Sequence, residues 1–330
     1  MLFPTDPPAG PRLVGIARQA AESECLEAKK RVDYYELPTR KYITRCSSLR
    51  MPFEWTINPY RGCEFGCKYC YARYTHEFME LRQSVDFEQK IYAKEFRPKD
   101  FREELRRIDR KEHIAIGTAT DPYQPAERRY GVTRRMLEII AAESGYSLSI
   151  TTKSDAVAKD VELLKTIARA NVISVNMTVT TIDESLARLV EPMAPRPSRR
   201  LEAVSQLVQN GVQVGVFANP IMPLINDSQK SIDAVAGAAA EAGAKYFGGN
   251  VLFLKPCSFQ VFLPFLKDEF PHLERRYRER YERGAYLRGA YPEKIHERIK
   301  IARERYKLAR GPIDYTPELW EGDAQFELGY

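Results

Sequence analysis

The sequence predicts an α/β protein: a partial (β/α)6-type barrel, open on one side, with an N-terminal arm and a C-terminal helical extension. Three observations lead there. From about residue 51, short apolar runs alternate with segments of helical periodicity, the pattern of a parallel sheet with right-handed crossovers. The polar motifs fall just after those runs, at the C-terminal strand ends where barrels of this type gather their sites. Before residue 51 and after residue 256 the alternation is absent. At 330 residues the chain is long enough to bury a full core in one large domain or two smaller ones.

In order, residues 1–50 open with Pro and Gly and run through a mixed, weakly helical stretch at 17–31. They are expected to form an arm packed against the main domain. Cys25 and Cys46 stand alone there and read as small buried hydrophobes. Strands are expected at 54–58, 90–94, 113–118, 147–152, 172–180, 212–218 and 245–254. Helices are expected between them at 72–81, 98–108, 133–143, 156–170, 199–210 and 228–242. The barrel thus takes 51–256, and 257–330 form the helical extension and tail.

The 44% hydrophobic content is ordinary for a soluble protein, and no apolar run approaches the roughly 18 residues of a membrane span. Residues 1–12 lack an apolar signal core, so a cytoplasmic, reducing setting is the expectation. The net charge is +6, and residues 267–310 carry 14 Lys and Arg against 8 Asp and Glu, an excess equal to that of the whole chain. Within that segment arginines interleave with Tyr277, Tyr281, Tyr286, Tyr291 and Tyr306. Arginine pairs with phosphates and tyrosine stacks on splayed bases, so a nucleic-acid surface is one reading. The other is a pair of solvated helices with Glu–Arg pairs at helical spacing, their tyrosines packing down onto the barrel. The acidic, aromatic tail 314–330 reads as a strap anchored by Trp320.

The densest chemistry lies in Cys63-Glu-Phe-Gly-Cys67-Lys-Tyr-Cys70, which puts three of the six cysteines within eight residues. Cys-x3-Cys-x2-Cys sets three thiolates on one tight loop, with Gly62 and Gly66 letting the backbone fold around what they hold. Three soft ligands without an obvious fourth suit an iron–sulfur cluster with one iron open. An open iron can chelate the amino and carboxylate groups of S-adenosylmethionine. A structural zinc site is the competing reading and requires a fourth ligand from His76, Cys46 or Cys257. The spacing is too short for three thiols to be usefully bridged as disulfides.

Several stretches together resemble the radical S-adenosylmethionine superfamily, and within it the DNA repair photolyase-like family related to spore photoproduct lyase. They are the loop from Ile57 through Cys63 to Tyr71-Ala-Arg73, Thr75-His-Glu-Phe78, Asp86-Phe-Glu-Gln-Lys90, 117–128 and Thr152-Lys-Ser154. Thr178-Val-Thr-Thr181, Glu191-Pro192 with Arg199-Arg-Leu-Glu202, and 220–227 complete the set, and the likeness spans about residues 50–255. The resemblance implies a site-differentiated [4Fe–4S] cluster on Cys63, Cys67 and Cys70 and bound S-adenosylmethionine. It also implies a reductant such as flavodoxin or ferredoxin, and hydrogen abstraction by a 5′-deoxyadenosyl radical. It further places Tyr69 near the adenine, and it gives Lys153, just past a strand end, the methionyl carboxylate.

The Gly-Gly-Glu common after the second strand of that superfamily is missing here. Thr118, Thr120 and Asp121 are therefore candidates for the cofactor's amino group or ribose, with turn chemistry before Pro122 as their structural alternative. Thr178 and Thr180 are candidates for a hydrogen bond to the cofactor from a β-branched strand. Arg199 or Arg200 reaches the cofactor carboxylate or serves as a surface cap, and Asn226-Asp227 reads as a helix cap ahead of Ser228. His76 and Glu77 are expected to line the site or to hold the loop by hydrogen bonds. Spore photoproduct lyase returns hydrogen from a cysteine near the end of its third strand, and 115–121 contain none; Cys257, soon after the last strand, is the candidate donor.

Three functions follow. One is a radical enzyme acting on nucleic acid or a nucleotide-like substrate, in lesion repair or nucleotide modification. The second is the same chemistry on a peptide or small metabolite. The third is a zinc-stabilised nucleic-acid-binding protein with no radical.

Overall fold

The structure is a computed structural model describing residues 13–28, 32–48 and 51–320. Its eleven strands are β1 (Glu24–Ala28), β2 (Asp33–Leu37), β3 (Ile43–Arg45), β4 (Trp55–Ile57), β5 (Tyr60–Arg61) and β6 (Lys90–Lys94). They continue with β7 (His113–Ile116), β8 (Ser147–Thr152), β9 (Val172–Thr178), β10 (Gln213–Ile221) and β11 (Tyr246–Val251). The larger sheet runs β11-β10-β9-β8-β7-β4-β3. Its six strands from β4 to β11 are parallel neighbours, and β3 is added antiparallel at the edge. The expected partial barrel is present.

Helices Pro98–Arg106, Val132–Ala141, Val161–Ala170, Pro197–Gln209 and Gln229–Glu241 supply the crossovers. Each buries one apolar stripe, such as Val132, Met136, Leu137 and Ile140, against the sheet residues Ile57, Ile116, Ile150, Val175 and Val216. Pro stands in the first turn of two of them, where its missing N–H costs nothing. The Tyr246 ring lies directly over Gly215, where a Cβ would come within 1.9 Å of it.

Three expectations are corrected, the first being Cys25, which lies exposed on β1 and is no buried hydrophobe. The run 90–94, expected as the second barrel strand, forms β6 in a separate four-stranded sheet of order β1-β2-β6-β5. Only helices of three or four residues separate β5 from β6, too short for a crossover, and β7 pairs directly with β4. The stretch 17–31, expected to be weakly helical, holds most of helix Gly15–Ala21 and then strand β1, with β2 following it. Through β2–β6 and β3–β4 pairing, the first 50 residues contribute to both sheets.

After β11 come helices Pro256–Glu269, Glu274–Tyr281 and Ala290–Tyr306. Tyr277 and Tyr281 pack down as the second reading expected: both are buried, donating to Pro223 O and Leu252 O at 2.7 Å. Tyr286 is exposed. The strap holds as far as residue 320, where Trp320 Nε1 donates to Ala170 O at 2.8 Å; its remainder, 321–330, lies outside the described residues. Among the described residues no helix is long and apolar enough to cross a membrane.

Candidate active site

The cysteine loop follows β4 and β5 and is clamped through its backbone groups by neighbouring segments. Gly62 takes φ +82°, and a Cβ there would meet Lys90 O and Phe87 O at 2.8 Å. Cys63 N donates to Phe87 O (2.9 Å), Lys68 N to Val190 O (3.0 Å) and Met193 N to Phe65 O (3.2 Å). The buried Arg73 guanidinium donates to Cys67 O (3.0 Å) and Ser84 O (2.6 Å) and pairs with Glu88 at 2.6 Å. Ser258 Oγ donates to Cys70 O at 2.9 Å.

His76 holds the loop's flank. It is 1% exposed, and its Nε2 sits 3.0 Å from Lys90 O. Burial pushes its pKa down to about 4, so it is neutral and donates that bond. The folded state therefore resists a proton that the unfolded chain accepts near pH 6.5. Stability is expected to fall by up to about 3 kcal/mol as pH drops from roughly 6.5 to 4. Urea unfolding across that range checks this, and a His76→Gln variant should show a shallower slope.

Around the loop stand the residues that the sequence singled out. Thr120 Oγ1 donates to Gly62 O at 2.6 Å, and Gln124 Nε2 bonds Gly62 O and Thr120 Oγ1, both at 3.0 Å. Thr118 Oγ1 accepts from Asn58 Nδ2 at 3.1 Å, leaving its own proton free to donate. The buried Asp121 carboxylate accepts from Thr152 Oγ1 (2.7 Å), Lys153 N (2.7 Å) and Tyr123 N (2.9 Å). Burial raises its pKa against those bonds. Asp121 thus locks the turn after β7 to the turn after β8 and fixes the backbone from which Lys153 projects.

Lys153 Nζ lies 5.7 Å from the centroid of the Tyr69 ring. Burial works against its ammonium, but Cys67 and Glu191 outweigh it and hold its pKa above the ordinary value. The Tyr69 hydroxyl donates to Glu191 Oε1 and lies 3.2 Å from Thr180 Oγ1, which itself reaches Glu191 Oε1 at 2.6 Å. Glu191 pairs with Arg200 Nη2 at 2.5 Å, and both side chains are 1% exposed. Arg200 Nη1 donates to Thr178 O at 3.1 Å. Tyr69, Thr178, Thr180 and Lys153 are therefore brought together over one buried ion pair.

Glu191, Gln124, Arg73 and Asn58 are the residues that sequence reasoning missed as organisers of this site. All four lie inside the stretches that carry the family resemblance, but their organising role depends on spatial partners that the sequence does not reveal. Arg199 and Arg200 part company: Arg199 makes a surface pair with Asp155 at 2.7 Å, while Arg200 turns inward. The expected cap at Asn226 is corrected: Ser228 caps helix Gln229–Glu241, its Oγ accepting from Ser231 N at 3.0 Å, while Asn226 Nδ2 donates to Thr180 O at 2.9 Å. Cys257 is buried in the first turn of Pro256–Glu269, with Sγ 3.9 Å from Ser258 Oγ and its carbonyl accepting from Ser84 at 3.3 Å.

All three loop thiols are shifted up by burial, Cys67 to about 12. Among the described residues no three His, Cys, Asp or Glu side chains are placed to hold one metal ion. The donor set is instead three soft thiols in a dry site flanked by cations, which suits a cluster whose irons supply the positive charge needed to ionise them.

An uncharacterized protein of Mycobacterium tuberculosis strain H37Rv is 34% identical over 289 residues, covering 87% of this chain and 85% of its own. An uncharacterized protein of Methanocaldococcus jannaschii is 28% identical over 262 residues, covering 78% of this chain and 84% of its own. Among solved structures, spore photoproduct lyase complexed with dinucleoside spore photoproduct superposes with a TM-score of 0.63 at 14% identity. That match covers 91% of this chain and 85% of the other and shows a shared fold. The family model of the radical SAM superfamily matches residues 57–235, more than half of the chain. The chain belongs to the radical SAM superfamily and is a radical SAM enzyme whose cofactors are a [4Fe–4S] cluster and S-adenosylmethionine.

Proposed function

We propose that this enzyme abstracts hydrogen from a nucleic acid or nucleotide-like substrate at the mouth framed by Cys63, Cys67, Cys70 and Lys153. The observation that carries the assignment of the mouth is the convergence of three loop thiols, Cys67 buried and Cys63 and Cys70 partly so, with the Lys153 ammonium and the Tyr69–Thr180–Glu191–Arg200 network at one sheet edge. When bound, the cluster and S-adenosylmethionine supply a one-electron cleavage that yields the 5′-deoxyadenosyl radical. This chain's residues do the positioning. Cys63, Cys67 and Cys70 hold the cluster, and Lys153 pairs with the methionyl carboxylate. Tyr69, fixed by Glu191, supports the adenine, while Thr118, Thr120 and Asp121 shape the turn against the amino group and ribose. Thr178 and Thr180 close the floor.

The nucleotide assignment is supported by the basic excess in 267–310 and by the fold shared with a lyase whose structure holds a dinucleoside photoproduct. The test is anaerobic turnover with deuterated dinucleosides and oligonucleotides, following deuterium into 5′-deoxyadenosine. Transfer from a nucleotide supports the reading; transfer from peptides alone replaces it with the peptide alternative. Flavodoxin or ferredoxin serves as reductant in that assay, and a cytoplasmic setting is part of the same proposal.

Cys257 is proposed as the thiol that returns hydrogen to the substrate radical. Burial raises its pKa, which keeps it in the S–H form that donation needs. Cys257→Ala is expected to keep forming 5′-deoxyadenosine while losing the repaired or reduced product. Unchanged product yield from that variant removes the role.

A further inference from the structure

Beside the mouth lies a cleft of about 410 Å³ lined by Arg280, Arg283, Tyr286, Leu287, Arg288 and Tyr291. We infer that this cleft binds the phosphodiester backbone of a single-stranded nucleic acid and presents the strand to the barrel mouth. The inference rests on the nucleic-acid reading above and specifies where the strand is gripped.

Three guanidinium groups share the cleft and no carboxylate lines it. Two other arginines of the helix Glu274–Tyr281 are neutralised: Arg278 pairs with Glu274 at 2.9 Å and Arg275 with Glu279 at 3.5 Å. Among the described residues Arg280, Arg283 and Arg288 make no such pair. Cations gathered without counter-charge repel one another, and an anion relieves that repulsion; the planar fork of arginine fits phosphate oxygens in pairs.

The cleft is also held in shape. Arg280 lies 4.9 Å from the centroid of the Tyr291 ring, and the Tyr291 hydroxyl donates to Asp227 Oδ2 at 2.7 Å. Leu254 N donates to Ala285 O at 3.0 Å, tying the loop to the segment after β11. From there an aromatic ladder leads back to the cluster loop. Tyr286 stacks on Phe253 at 4.5 Å and 16°, and Phe253 meets Tyr71 at 5.5 Å, one residue past Cys70. Tyr286 is 58% exposed, leaving one ring face open. Flat faces beside unpaired cations match bases and phosphates, whereas an acidic peptide has no use for the ladder.

The experiment measures binding of a fluorescein-labelled single strand of roughly 12 nucleotides to the anaerobically reconstituted holoenzyme across a salt series. Each lost phosphate contact flattens the log–log salt slope by about 0.7. Arg280→Gln, Arg283→Gln and Arg288→Gln combined are expected to weaken binding at least about tenfold and to flatten the slope by about 2. The Arg→Lys triple variant keeps most of the slope, and Arg275→Gln with Arg278→Gln binds as wild type. Tyr286→Ala weakens binding about tenfold with the slope unchanged. If wild type binds the strand and the triple Gln variant, folded by circular dichroism, binds identically, the cleft is overturned while the nucleotide reading stands. If wild type shows no binding even at low salt, both fall. Equal displacement of the strand by polyglutamate overturns the nucleic-acid assignment of the cleft.

Discussion

Cys67→Ala is expected to yield a folded protein that assembles no cluster and forms 5′-deoxyadenosine only at the uncatalysed background. The physical reason is that the loop keeps its shape without this thiol. Its clamps are backbone bonds, including Lys68 N to Val190 O and Arg73 Nη2 to Cys67 O, and alanine retains all of them. What is lost is one of three ligands to a centre that has no spare thiol on the loop. With only Cys63 and Cys70 left, a second iron of the cluster would lack a protein ligand. Iron and sulfide analysis, together with product chromatography under reducing, anaerobic conditions, reads the outcome. Cys25→Ala, which changes an exposed thiol, serves as the control and keeps full cluster content. Product formation retained by Cys67→Ala would remove this residue from the ligand set.

The proposal for that loop could be made from sequence because its signals are local: spacing, glycines and an aromatic residue all fall within a dozen positions. The parallel strand-and-crossover alternation was legible for a similar reason, 90–94 apart, since each crossover helix delivers the chain to the adjacent strand. The arm was harder. Its strands Glu24–Ala28 and Asp33–Leu37 are short, and β1 is largely exposed, so neither carries a clean two-residue alternation. The partner of β2 across the sheet, β6, is far away in sequence, and nothing near Lys90 announces that it will leave the barrel sheet.

The site shows the same division. Asp121 was weighed as cofactor ligand or turn residue, and its three hydrogen bonds show that it joins two turns, which required knowing that Thr152 and Lys153 lie across from it. Arg199 and Arg200 are neighbours in sequence, but successive helical positions point about 100° apart, so only one can face inward. Which one does is decided by the buried carboxylate of Glu191, a partner that composition and spacing do not reveal.

That buried pair supplies the other large effect. Arg200→Ala is expected to destabilise the fold by about 3–5 kcal/mol at neutral pH, because it leaves the Glu191 carboxylate buried without its main counter-charge. In the wild type, burial pushes the Glu191 pKa up, but Arg200 and Lys153 outweigh it and hold it below the usual carboxylate value. A depressed carboxyl pKa adds stability above the unfolded value of about 4.3, and that stability is lost as pH falls through the folded value. In Arg200→Ala the balance tips toward burial, the carboxyl rises and protonation relieves the penalty. The gap between wild type and variant should therefore narrow on acidification, the opposite of a simple packing defect. Urea unfolding at neutral pH and near pH 5 measures both. Arg200→Met combined with Glu191→Leu should recover most of the stability, since an apolar pair of similar volume removes the stranded charge. It should still impair cofactor cleavage, because the Tyr69 hydroxyl and Thr180 lose the acceptor that fixes them beside Lys153. A loss below about 1 kcal/mol in Arg200→Ala, within the range of an exposed pair, would mean that water reaches Glu191 and that the floor of the site is not dry.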